Sequence, residues 1–226
     1  MARRAAQDRQ GVSEQLFPHL LGPIVDKSFY RWEVYRYVSD GADTDDLPVA
    51  NPNGREALPY LTFITDNYAT LPDVVIFTHG HYQSWHQPEP LVDKIMALNL
   101  TAVKREDYVN LRCQQTHGCT EDSMFYIAHP REEDQRGGKF IKLIWEELME
   151  PEVGPVGDII ARPCCAQFAV SKQAVLRHSL NFWNSLREPL ETRKQGDEGW
   201  RGLSDYDVGL KYEMFWHVLM GKEPVQ

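Results

Sequence analysis

Cysteine is scarce in this chain. Its four residues, Cys113, Cys119, Cys164 and Cys165, contain no C-x-x-C pair, which excludes the paired-thiolate spacing of a structural zinc knot. A reducing compartment would keep them as thiols, and the sequence leaves a Cys113–Cys119 disulfide open. Positive charge is also in short supply. With 24 Lys and Arg against 33 Asp and Glu, the formal net charge is −9, which argues against nucleic acid or an anionic membrane as partner, because both are held by clustered cations. The basic opening, Arg3, Arg4 and Arg9, is diluted by Gln and Asp. No run approaches the ~20 apolar residues needed to cross a bilayer, and the first residues lack the apolar core of a signal peptide, so the expected location is cytoplasmic. What is present suits a globular chain: 226 residues, 42% of them hydrophobic, enough to bury one substantial core. The oligomeric state is left open.

The pattern predicts a helical lead-in over residues 1–28 and a single α/β domain over 29–226. Bulky and polar residues alternate from Trp32 to Val38, as in a strand. The stretch from Asp40 to Gly54 is punctuated as a loop, and Asn53 is placed to cap a helix over about Arg55–Tyr68. VVIFT, Val74–Thr78, is a short apolar run suited to a strand covered on both faces. Further helical segments are expected near Leu91–Leu98 and Lys139–Met149, with a strand at Cys165–Ser171. Ser171 would cap a helix running to about Leu190. Lys194–Gly202 reads as a mobile loop by composition, and Gly221 is suited to end a last helix over about Asp207–Met220. Helices alternating with strands predict an α/β sandwich with a mostly parallel sheet.

In such sheets ligands collect beyond the carboxyl ends of the strands. Val74–Thr78 would deliver HGHYQSWH, His79–His86, to that edge. His79 and His81 share a face if the strand continues, a geometry that could grip a metal. The string partly resembles the T-H-x-H-x-D-H of metallo-β-lactamases, but Gln83 and Ser84 stand where that fold needs an aspartate and a histidine. No metal is expected, and the histidines read as hydrogen-bonding or proton-transferring residues.

Four blocks carry a broader likeness: NPNGREALPYLTFITDNYATLPDVVIFTHGH, YVNLRC followed by GC, CCAQFAVS, and YEMFWHVLMGK. In that order, over about Asn51 to Lys222, they resemble a fungal family catalogued as domain of unknown function 3431. The resemblance implies a sandwich distantly similar to the GT-A glycosyltransferase fold, although the strand Val74–Thr78 ends in His-Gly-His and not in the Asp-x-Asp that holds a metal–nucleotide in GT-A enzymes. Asp43-Thr44-Asp45 lies in a loop after a different strand. Relatives of this kind also imply cofactor-free cyclases of fungal secondary metabolism, including hetero-Diels–Alder catalysts that join a quinone methide to an alkene in meroterpenoid pathways, with a preceding dehydration where the quinone methide is made in place. The alternatives are a nucleotide-sugar transferase and a non-catalytic binder of small ligands.

Cycloaddition needs apolar partners held in register and one or two hydrogen bonds to the heterodiene carbonyl. His79, His81, Gln83, His86 and Arg112 are the candidate catalytic groups. Asn53, Arg55, Tyr82, Trp85, Asn110, Gln167, Phe168, Trp216 and His217 are candidates to line an apolar substrate, with no cofactor. Each has a plainer reading beside it: Phe168 and Trp216 as core packing, Arg55 and Glu56 as an ion pair at a helix start, and Arg112 as an anchor for a carboxylate of the fold.

Overall fold

The structure is a computed structural model that describes residues 31–38, 47–49, 53–80, 89–111, 124–126, 135–161, 166–194 and 196–224. In chain order the elements are β1 (Tyr37–Val38), β2 (Leu47–Pro48), α1 (Ala57–Asn67), β3 (Val74–Phe77), α2 (Leu91–Ala97), α3 (Leu100–Glu106), β4 (Tyr108–Asn110) and β5 (Met124–Tyr126). There follow α4 (Gln135–Ile144), a π-helical turn over Trp145–Met149, α5 (Glu150–Val153), β6 (Ile159–Ala161), β7 (Phe168–Ser171), α6 (Lys172–Leu176), α7 (Leu180–Thr192), α8 (Asp205–Glu213) and α9 (Trp216–Leu219).

The chain divides into two compact units, Met1–Val49 with His79–Asn99, and Ala50–Thr78 with Leu100–Gln226. In the smaller unit β1 and β2 pair in parallel, Tyr37 opposite Leu47, so only the end of the strand expected over Trp32–Val38 is paired. Its helix α2 buries Leu91, Val92 and Ile95, at helical spacing.

The larger unit is built on a three-stranded sheet of order β3-β7-β4. Both outer strands run antiparallel to β7, with Val75 opposite Val170 and Tyr108 opposite the same Val170. The mostly parallel sheet expected from the sequence is therefore corrected. β3 and β4 do point the same way, as helix–strand alternation requires, but β7 lies between them. Burial on both faces, expected of Val74–Thr78, belongs instead to the central antiparallel strand: all four residues of β7 are buried, whereas β3 alternates half-buried and buried residues.

Helix α1 shows why. Leu58, Leu61 and Ile64 recur at helical spacing and are fully buried, while Tyr60 and Phe63 bury a second stripe. The second stripe lies on the sheet: the rings of Tyr60 and Phe63 stand 4.7 and 5.8 Å from that of Phe77. Helix α7 packs along α1. Pro59 falls in the first turn of α1, where its missing N–H costs no intrahelical bond.

Ser171 caps α6 as expected, accepting from the Ala174 N–H at 3.0 Å. The single helix expected to follow is two. Ser179 caps a second start by accepting from the Phe182 N–H at 3.1 Å, because two serine caps eight residues apart favour separate helices. Gly221 has φ +84 after α9, the left-handed conformation that glycine accepts without strain.

The segment read as a mobile loop contains a 3₁₀ turn over Gly199–Gly202, with Trp200 only 3% exposed. Trp200 donates its indole N–H to Glu147 of the π-helical turn at 2.8 Å, and Arg201 pairs with the same carboxylate. The composition of that loop says nothing of this anchor, which comes from an element some fifty residues earlier.

Candidate functional site

Because α1 leads into β3 through Tyr68–Asp73, the first turn of α1 stands over the carboxyl end of β3. That end is where the sheet gathers hydrogen-bonding groups. Phe77, Phe168 and Asn110 form the last ladder row. One step beyond, the Thr78 hydroxyl donates to Gln167 Oε1 at 2.9 Å, and the Leu111 N–H donates to the Gln167 carbonyl at 2.9 Å. Gln167 is 3% exposed. Asn110 and Tyr108 lie two apart on one face of β4, and the Asn110 amide donates to the Tyr108 hydroxyl at 3.4 Å.

On the sheet face that carries Phe77, Phe168 and Asn110 lies an aromatic cluster. Phe168, with no exposed surface, lies 5.3 Å from Phe77, 5.2 Å from Tyr108 and 5.5 Å from Trp216, centroid to centroid. Tyr60 closes the group, 5.7 Å from Trp216 and edge-on to Phe168 at 6.0 Å. Such tilted and edge-on pairs are favoured by the ring quadrupoles. The Tyr60 hydroxyl donates to the Ala166 carbonyl at 3.1 Å. Burial, and then the charges of Glu56 and Glu213, raise the Tyr60 pKa well above its ordinary value, so the hydroxyl keeps its proton. Ala166 has φ +36, a conformation that costs a residue with a β-carbon about 1–3 kcal/mol.

Of the residues singled out from the sequence, Asn110, Gln167 and Phe168 come together at this edge, and Trp216 packs against Phe168. Phe168 and Trp216, the latter 1% exposed, are enclosed within the aromatic core. His217 is buried beside Trp216 in sequence, with Nε2 3.1 Å from the Pro224 carbonyl. His79 follows Thr78 directly in the chain. His81, Tyr82, Gln83, Trp85, His86 and Arg112 lie outside the described residues, as do Asp43 and Asp45.

Asn53 and Arg55 belong to a different corner. Asn53 does not cap α1. Glu56 occupies that position without a side-chain bond, and the Asn53 amide donates to the carbonyls of Leu190 and Arg193, at 3.0 and 3.4 Å. It thus serves the orphan acceptors at the end of α7. The N–H groups of Gly54 and Arg55 are taken by Asp205 at the start of α8. Arg55, at φ +52, lays its guanidinium 5.0 Å over the Tyr206 ring. Arg193, buried nearby, donates to the carbonyls of Arg201 and Leu203. This corner joins three segments of backbone.

Residues 24–226 match the family described as "Protein of unknown function (DUF3431)". The chain belongs to the DUF3431 family. No curated protein and no solved structure matches it. For this DUF3431 chain, no described helix is long and apolar enough to cross a membrane. Among the described residues no three His, Cys, Asp or Glu gather at metal-binding spacing.

Two contributors escape a reading of the sequence. Tyr60 reads as an ordinary apolar position of α1, and only its hydroxyl marks it out. Nothing local marks Ala166, whose left-handed conformation arises from the contacts around it.

Proposed function

We propose that this chain is a cofactor-independent cyclase of fungal secondary metabolism, working in the cytosol. It joins a quinone methide to a terpene-type alkene by hetero-Diels–Alder cycloaddition. The observation that carries this reading is the set of uncharged hydrogen-bonding groups at the strand ends: Asn110 in the ladder row of the aromatic Phe77 and Phe168, and the Thr78–Gln167 pair one residue further along. Such a reaction transfers no group to the protein. The heterodiene's carbonyl oxygen and its terminal carbon each form a bond to one alkene carbon, and the π electrons of both partners supply those bonds.

The protein's part is to hold both partners in register, which can lower the barrier by about 7–11 kcal/mol. It also donates hydrogen bonds to the carbonyl oxygen as charge builds there. We assign one such donor to the Gln167 side chain, held at the strand end by its contact with Thr78. Where the quinone methide is made from a benzylic alcohol, loss of water also needs a general acid.

The test is adduct formation from a 2-hydroxybenzyl alcohol and a terpene alkene, with purified protein in the presence of EDTA. We expect acceleration and a single enantiomer, and about a 100-fold fall in rate for Gln167→Ala, as for loss of one oxyanion donor. An unaccelerated racemic product, together with saturable binding of a nucleotide sugar and a divalent cation, would replace this reading with sugar transfer.

A further inference from the structure

We propose that Tyr60 is a positioning residue for this site: its hydroxyl holds Ala166 in the left-handed conformation and so fixes the amide of Gln167 against Thr78. The site's chemistry rests on the cyclase reading, but the placement of the amide does not.

The argument starts from strain. Ala166, at φ +36, is one of three non-glycine residues with positive φ among the described residues, and its β-carbon is crowded there by the neighbouring carbonyl. Such a conformation persists only where its surroundings over-determine it. Here two hydrogen bonds do so from opposite sides. The Tyr60 hydroxyl binds the Ala166 carbonyl at 3.1 Å, and the Leu111 N–H binds the next carbonyl, that of Gln167, at 2.9 Å. Rotation of Ala166 toward negative φ would pull the chain off one or the other.

Tyr60 is itself fixed. Its ring is packed among Phe77, Phe168 and Trp216, so the oxygen has one place to be. The immediate product of the strained residue is the direction of its neighbour: Gln167 leaves the kink with its amide on the Thr78 hydroxyl at 2.9 Å. A purely structural role, in which Tyr60 satisfies one buried carbonyl, would give no link between its hydroxyl and the Gln167 amide.

The two roles separate by rescue. Glycine adopts φ +36 without a β-carbon penalty, so Ala166→Gly should supply what the Tyr60 hydroxyl supplied. The direct readout is the side-chain amide resonance of Gln167 in ¹H–¹⁵N spectra, assigned by its loss in Gln167→Ala. We expect Tyr60→Phe to displace that resonance, Ala166→Gly alone to leave it in place, and the double variant to return it toward the wild-type position. In the cyclisation assay, Tyr60→Phe should lower kcat about fivefold, the worth of one net hydrogen bond, with KM little changed, and the double variant should recover most of the loss. An amide resonance unmoved by Tyr60→Phe, or moved but not returned by Ala166→Gly, overturns the proposal. If the wild-type protein turns over neither probe, the cyclase reading fails, and the amide resonance alone decides the role of Tyr60.

Discussion

The two ends of the β3-β7-β4 sheet are made of different chemistry. Where β3 and β4 begin, the side chains are charged and partnered. Asp107 accepts from Ser171 at 2.5 Å and pairs with Arg177, while Asp73 pairs with Lys104 at 2.5 Å. Where the same strands finish, the groups are Thr78, Asn110 and Gln167, none of which ionises near neutral pH. Exposure explains the contrast. The Asp73 and Lys104 side chains keep 78% and 42% of their surface, so water continues to solvate them, whereas Gln167 keeps 3%. An isolated charge there would carry a desolvation cost of several kcal/mol, and a neutral amide reaches the same depth with its hydrogen bonds made. The charged end holds strands together at the surface.

The largest expected effect removes what the two ends share. Phe168 touches the rings of Tyr60, Phe77, Tyr108 and Trp216, and Phe168→Ala should cost about 3–5 kcal/mol of stability, measured by urea unfolding. A loss under about 1 kcal/mol would mean the aromatic cluster is not the core of the unit.

A smaller effect separates the ends by pH. Burial alone would raise the Asp107 pKa, but hydrogen bonds from Ser171 and Arg177 outweigh it and hold the carboxyl below its ordinary value. A carboxylate depressed in the folded state adds stability that is present above its unfolded pKa, about 4, and is lost as pH falls through the folded value. Asp107→Asn should therefore be about 1 kcal/mol less stable than wild type at pH 7, and the gap should close below about pH 4. Gln167→Ala should leave the shape of that acid limb unchanged. A gap for Asp107→Asn that persists at low pH would show that its role is not electrostatic.

The smallest effect is expected at the surface. Lys104→Ala removes the partner of a fully exposed Asp73, and the urea midpoint should stay where it was. A measurable drop would show that the charged end is more rigid than its exposure implies.

Much of this was legible in the sequence where the cause is local. VVIF and FAVS form strands because β-branched and aromatic residues fit a buried pleat, and Ser171 and Gly221 do what their chemistry favours at helix ends. Strand order was not legible, because nothing in β3 or β4 states that β7 comes between them. Asn53 illustrates the same limit: its residue type suits a cap, but its partners lie 137 and 140 residues away. At the candidate site, the rule that ligands collect beyond the carboxyl ends of strands pointed to His79–His86, most of which lie outside the described residues, while Asn110 and Gln167 were named only as polar residues suited to line a substrate. It missed Tyr60, whose contribution is one hydroxyl on an otherwise apolar helix stripe.

The π-helical turn at Trp145–Met149 has its own consequence for the length of the chain. Such a turn winds one residue more than a regular helix over the same span. Deleting any one residue there would restore regular winding with helix α5 in nearly the same phase, and would change how the side chains inside the turn are aimed. Glu147 could then no longer face both Trp200 and Arg201 while Trp145 still reached the Gly154 carbonyl. The extra residue thus works as a spacer, keeping one rim of the helix aimed at the α7–α8 connection and the other at the bend into β6.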